Sequence, residues 1–226
     1  MEIHAPESPI QSLKDFAIHI GVVTVGILIA LGLEQAVEAY HRHELARQAV
    51  ESFHAELAEN RKAVQEVMAE IAGHNSRAEE DIALLTAWQL GKGTAGTELK
   101  YPGIRLDLMS SASWDAAIAT QALGELPYDE VRRYAEAYAG FRLFTEQEKA
   151  QLAEWQDMRL FGTDPAQMSP SQRQSLIERL RHYQNYVIVL TMAGKGALAA
   201  ADRALETPRA TDPVGGKVKT AASAPA

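Results

Sequence analysis

A chain of 226 residues, 46% apolar and 23% charged, is long enough to bury a real core and too apolar to be disordered throughout. Thirty acidic side chains against 22 basic ones, a net charge of −8, leave no basic footprint for nucleic acid and no polybasic cluster for anionic headgroups. No cysteine is present, which excludes disulfides, thiolate metal sites and cysteine nucleophiles.

The first predicted element is an apolar helix. Residues 16–33, FAIHIGVVTVGILIALGL, carry no formal charge. At about 1.5 Å per residue they make a helix roughly 27 Å long, close to the ~30 Å hydrocarbon core of a bilayer. A cleaved signal peptide starts basic and has a shorter apolar run, whereas Glu2, Glu7 and Asp15 stand here against Lys14 alone. A buried helix of a water-soluble domain seldom runs this far without a charge. The segment therefore reads as a single membrane span, with a tail over 1–15, the anchor over 16–36 and the lipid bilayer as its partner. Ser8, Pro9 and Ser12 supply a turn and a helix start. His19, close to one end of the span, reads as a neutral imidazole at headgroup depth. Ala17/Gly21 and Gly26/Ala30 are small-residue pairs that let helix backbones approach. Their offset at 100° per residue puts them on opposite sides, so no continuous dimer face is written. Lys14 and the amino group before the span balance Arg42 and Arg47 after it, and orientation is not encoded.

Gly26-Ile27-Leu28-Ile29-Ala30-Leu31, followed by Glu34 and a long polar helix carrying Glu56-Leu57 and Asn60, resembles a family of uncharacterised bacterial membrane proteins. Members have one N-terminal span and a helical C-terminal domain. The likeness covers residues 14–62, with a fainter echo from Ser113-Trp114 to Tyr138. The acidic tail departs from the basic tails of many relatives. The resemblance implies a single-pass protein of the bacterial inner membrane. It supplies no activity, cofactor or catalytic residue.

Beyond the anchor the chain reads as a helical domain over 37–206. From Val50 the apolar residues keep a seven-residue step through Leu57, Val64, Ile71, Ala78 and Leu85, the mark of a coiled-coil-like seam. The companion positions are Phe53, Asn60, Val67, His74, Asp81 and Trp88; three are polar, which places Asn60, His74 and Asp81 toward an edge of a bundle. The phase survives Gly73, so one helix is expected from the membrane to about Leu90, bent or frayed near that glycine. A loop from Gly91 through Pro102-Gly103 precedes a second helix, capped by Ser113, ending before Gly124 and burying Trp114, Ile118 and Leu123. Pro127 as first helical residue, with Asp129 and Glu130, opens a third helix with the stripe Val131, Tyr134, Tyr138, Phe141, Leu152 and Trp155. Ser169-Pro170-Ser171-Gln172 combines a cap, a proline and a capping-box glutamine, and starts a fourth helix from Pro170 to about Leu205. Tyr186 to Ala201 invites a second span, but Lys195 near its middle argues for a buried bundle helix. Residues 207–226 have little to bury and read as a disordered tail. The fold class is all-α, an N-terminal transmembrane helix continuing into a long amphipathic helix that packs with about three more.

Chemistry finds little support. Glu38/His41 and Glu51/His54 are two Glu-x-x-His steps, but about 20 Å apart on one helix they cannot share an ion and read as a solvated face. His43-Glu44 begins a zinc-protease motif that fails at its second histidine. Leu90-Gly91-Lys92-Gly93-Thr94 has phosphate-loop residue types in the wrong order, with no strand before it. Asp115 with Glu125 makes only a nominal acid/base pair, and Trp88, Trp114 and Trp155 read as core anchors rather than a ligand cage. No catalytic residue, metal ligand or cofactor is expected. The expected function is a non-enzymatic interaction or scaffolding module, binding a second copy or another membrane protein through Val50, Phe53, Leu57, Val64, Val67 and Ile71. The alternative is a sensor or signal relay that takes a small ligand within the bundle.

Overall fold

The computed structural model describes residues 13–206, and every regular element among them is helical. Helix α1 (Leu13–Gln89) is followed by α2 (Ala112–Ala119), α3 (Tyr128–Arg159) and α4 (Pro170–Leu205), with 3-10 turns at Ala122–Glu125 and Pro165–Gln167. The all-α class, with one long N-terminal helix and three more, is as expected. The disordered-tail expectation for 207–226, like most of that for 1–15, lies outside the described residues. By its contacts the chain separates into two units between Leu45 and Ala46. In the first, the side chains from Phe16 to Arg42 are exposed and the apolar window of α1 is wholly unburied. Among the described residues α1 is the one helix long and apolar enough to cross a membrane.

In the second unit α1 from Ala46 onward packs with α3 and α4. All six residues of the predicted register, Val50 through Leu85, are buried. The helix passes through Gly73 unbroken, and the Asn75 amide donates to Glu79 one turn on. Helix α3 runs in the direction of α1, His54 meeting Tyr134 and Glu56 meeting Tyr138. Helix α4 returns antiparallel to α1, joined by Arg61 to Asp202, Gln184 to Asn75 and Gln89 to Gln174. The tightest crossing is between α3 and α4, where a Cβ added to Gly140 would stand 3.1 Å from the Ala197 Cα. Only glycine lets the two backbones approach so closely at that level.

Helix α4 starts and ends as predicted: the Ser169 side chain accepts from the Gln172 N–H, the Gln172 side chain accepts from the Ser169 N–H, and Pro170 takes the first turn. Other boundaries are corrected. Pro127 precedes α3 as its cap rather than entering it. Helix α2 is preceded by Ser111 instead of Ser113 and stops at Ala119, because Gln121 adopts φ +59 and turns the chain. Trp114 is buried there, but Ile118 is 53% exposed and Leu123 half-buried, since so short a helix turns only Trp114 and Ala117 inward. On α3, Tyr134, Tyr138 and Phe141 are buried, while Val131, Leu152 and Trp155 are half-buried. Phe144, Thr145, Glu148, Gln151 and Met158 take the inner face of its second half.

That shift has a cause in the connector. Residues 99–111 form a strap without regular structure that runs back along α1, so their peptide groups need partners from outside the strap; the Leu99 N–H finds the Thr163 carbonyl at 2.8 Å, and side chains meet most of the others described below. Asp81 accepts the N–H groups of Lys100 at 3.0 Å and Tyr101 at 2.8 Å. Trp155 donates to the Pro102 carbonyl at 2.8 Å, and the Tyr183 hydroxyl donates to that of Gly103 at 3.0 Å. Asn60 then makes a two-way amide pair with Ser110, donating to its carbonyl at 2.7 Å and accepting its N–H at 3.0 Å. Glu56 accepts the Ser110 hydroxyl and the Ser113 N–H. Asn60 and Asp81, 5% and 2% exposed, therefore sit inside the fold and not at its edge. His74 is half-buried, against Gly103 of the strap.

Candidate interaction site

The six residues expected to present a binding surface, Val50, Phe53, Leu57, Val64, Val67 and Ile71, are all buried in the second unit. The seam they form is covered by the chain's own α3 and α4, so the pattern records internal packing. Phe53 shows this most clearly: its ring lies 4.9 Å from Tyr134, 5.7 Å from Trp114 and 5.9 Å from Tyr138, centre to centre. These spacings are those of favourable tilted and edge-on aromatic pairs. The small-residue pairs Ala17/Gly21 and Gly26/Ala30 are exposed in the first unit, and a Cβ at Gly21 or Gly26 would meet nothing within 4 Å.

An apolar surface does exist elsewhere. An open groove of about 530 Å³ lies between α3 and α4, lined by Gly140, Leu143, Val189, Met192, Ala193 and Gly196. Leu143 is 50%, Val189 47% and Met192 69% exposed, with Ile188 beside them exposed as well. Small residues form the floor where the helices approach, and larger apolar ones stand at the rim. One signal in the sequence points to it: Tyr186 to Leu190 is a run of apolar residues wider than a single helical stripe can bury. Val187 and Leu190 go inward, and Ile188 and Val189 are left outside. Gln147 is the polar residue among the lining, so the groove suits an apolar side chain or helix better than acid–base chemistry.

The motifs that hinted at chemistry are dispersed. Glu38 pairs with Arg42 at 2.8 Å and Glu51 with Arg47. His54 is no solvated residue: it is buried, with its Nε2 3.0 Å from the Tyr134 hydroxyl. Among the described residues no group of three or more His, Asp or Glu side chains is arranged to hold a metal ion. The glycine-rich stretch after Leu90 ends α1, with Gly91 at φ +70 and Gly93 against the Trp88 ring. Asp115 is held by the Ser111 hydroxyl at the start of α2. Each tryptophan has its own surroundings: Trp114 joins the Phe53 cluster, Trp155 holds the strap, and Trp88 lies under the Arg173 guanidinium.

Ionisable groups of α1 and α3 do meet, at His54–Tyr134 and at the 2.8 Å bond from the Tyr138 hydroxyl to Glu56. Burial first, then the neighbouring carboxylates Glu130 and Glu56, push the two phenols far above their ordinary values. Such phenols stay protonated and act as fixed hydrogen-bond partners. Burial likewise raises Tyr101, to about 12, and its hydroxyl donates to the Gly162 carbonyl at 2.6 Å. Asp81 is raised by burial against the opposing pull of its two strap N–H groups. Glu148, fully buried, is pushed up to about 7 by desolvation, with Asp107 adding to the shift and its N–H and Arg105 opposing it. No family model, no curated protein and no solved structure matches the chain.

Proposed function

We propose that the protein is a non-enzymatic interaction or scaffolding module of the bacterial inner membrane, anchored by the N-terminal part of α1. The observation that carries the anchor is the apolar window of α1, none of which is buried against the rest of the chain. Leaving so many aliphatic side chains in water would oppose solubility, whereas a bilayer solvates them. The resemblance of residues 14–62 to single-span bacterial membrane proteins agrees with this reading, and the inner membrane is part of the proposal. Interaction as the role is supported by the exposed apolar groove between α3 and α4, since the Val50–Ile71 seam is buried within the second unit. A second copy or another membrane protein would be the partner class.

Fractionation tests the anchor. After lysis without detergent and ultracentrifugation, the full chain should sediment with membranes and be released by detergent. Recovery in the supernatant would refute the anchor. Site-specific photocrosslinking from Met192 in native membranes tests the role, with the same probe at exposed Glu146 as control. Adducts from Met192 and not from Glu146 are expected; monomer alone from Met192 would refute the interaction reading.

A further inference from the structure

We propose that Glu148 is a proton-operated latch for the strap: neutral, it lets residues 105–109 seat against α3, and ionised, it loosens them. The geometry is specific. Glu148 lies on the inner face of α3 with 0% of its surface exposed. Its Oε1 is 3.5 Å from the Asp107 N–H of the strap, a long and weak contact, and its Oε2 has no hydrogen-bond partner. A carboxylate in that place would bury a full charge with one weak bond; a carboxylic acid would not. The next turn repeats the arrangement in weaker form, with the Thr145 hydroxyl 3.5 Å from the Met109 N–H.

Charges from the neighbouring elements relieve Glu148 only in part, because Arg105 opposes its upward shift while Asp107 adds to it. The strap presents Arg105 and Asp107, and α1 presents Glu66 and Glu70, all four already joined: Arg105 holds Glu66 at 2.6 Å, Asp107 at 2.8 Å and Glu70 at 3.0 Å, with His74 4.0 Å from Glu70 and, beside Arg77, against Gly103 of the strap. One guanidinium thus faces three carboxylates before Glu148 ionises. On α3 the buried neighbours Thr145 and Gln151 are neutral. At this level, between the Gly140–Ala197 contact and the Glu154–Arg179 bond, α4 contributes the buried and apolar Val187 and Leu190. Burial above all pushes Glu148 up to about 7, which puts its ionisation near neutrality. Ionisation sends the Oε2 proton to solvent; water must follow to the carboxylate, and the strap is the adjacent layer without regular structure. Met109 and Asp107 are half-buried there, while Leu106 and Leu108 are exposed, so a loosened strap swings on its Asp81 and Asn60 ends.

Amide hydrogen exchange of the full chain in a mild nonionic detergent tests the latch. Corrected for intrinsic exchange, protection of the Asp107 and Met109 amides should fall about tenfold or more between pH 6 and pH 8, while buried amides of α4 hold theirs. In Glu148→Gln, a permanently neutral isostere, the fall should vanish. Protection that is flat in the wild type, or that falls equally in Glu148→Gln, would overturn the proposal. Should Glu148→Gln not fold, the wild-type side-chain carboxyl resonance decides: a midpoint above pH 6 that coincides with amide shifts at Asp107 supports the latch, and a midpoint at or below pH 6 overturns it.

Discussion

Replacing Asn60 by aspartate exchanges an amide for a carboxylate of the same shape and should expose what holds the strap. The wild-type amide is matched to the Ser110 peptide, giving a proton to its carbonyl at 2.7 Å and taking one from its N–H at 3.0 Å. In Asn60→Asp the N–H still finds an acceptor, but the carbonyl loses its donor and faces a carboxylate oxygen instead. One lost hydrogen bond costs about 1 kcal/mol and a part-buried carbonyl left facing negative charge about 1–2 more, so a loss of roughly 2–3 kcal/mol is expected at pH 7.5. Once protonated, the substituted carboxyl can donate again. Its folded-state pKa must therefore lie above its unfolded value of about 3.9, and the penalty, small below that pH, must grow as pH rises through it. Urea unfolding of the full chain in detergent, followed by tryptophan fluorescence at pH 4 and pH 7.5, gives the difference from wild type at each pH. The exposed Asn185→Asp is the control and should stay within about 0.5 kcal/mol. A penalty equal at both pH values, or no larger than that of the control, would refute the argument.

Three further sets of substitutions probe the same framework, the first two by the same unfolding measurement. Asp81→Ala strands the N–H groups of Lys100 and Tyr101 and should cost about 2–4 kcal/mol, while Glu80→Ala, which removes only an exposed pair with Lys100, should stay within about 0.5 kcal/mol. Gly73→Ala, in mid-helix with nothing within 4 Å of the new Cβ, should stabilise by about 0.5–1 kcal/mol; Gly140→Val, set 3.1 Å from the Ala197 Cα, should destabilise by about 1–3 kcal/mol. Ser169→Ala removes the cap of α4 and should cost about 1 kcal/mol, measurable as earlier hydrogen exchange in the first turn after Pro170.

What could be read in advance divides by the range of the physics involved. Start signals are local, and Ser169 to Gln172 formed the cap their order implied. Periodicity spans several turns, and the register from Val50 to Leu85 is buried throughout. What covers a buried face is a tertiary fact that no local pattern carries. The Val50–Ile71 seam looked the same whether a partner or the chain's own α3 and α4 filled it. The groove that α3 and α4 leave open depends on the close approach at Gly140, a detail of two helices far apart in sequence. The apolar excess in Tyr186 to Leu190 is its trace in the sequence, but the same excess fits a more deeply buried helix equally well.

The polar residues in the register carry the same lesson with the opposite sign. Asn60 and Asp81 interrupt an apolar seam, and in a bundle made of helices alone such residues belong at an edge, where water can satisfy them. A bundle that also swallows an irregular segment has a different need. Helices use up their own peptide groups, but a strap brings N–H and C=O groups that nothing in its own conformation satisfies. Side chains on the flanking helices must meet them, and they must do so in the core. Asn60 and Asp81 lie three seven-residue steps apart on α1, and their strap partners Ser110 and Lys100 lie in reverse order along an extended chain. Ten residues of strap against 21 of helix spans about the same length, since an extended residue advances roughly 3.3 Å and a helical one 1.5 Å. Polar residues recurring in phase with a helical seam, followed by a loop too long for a turn, therefore point to a connector packed along that helix, and the acceptors they supply decide where it is pinned.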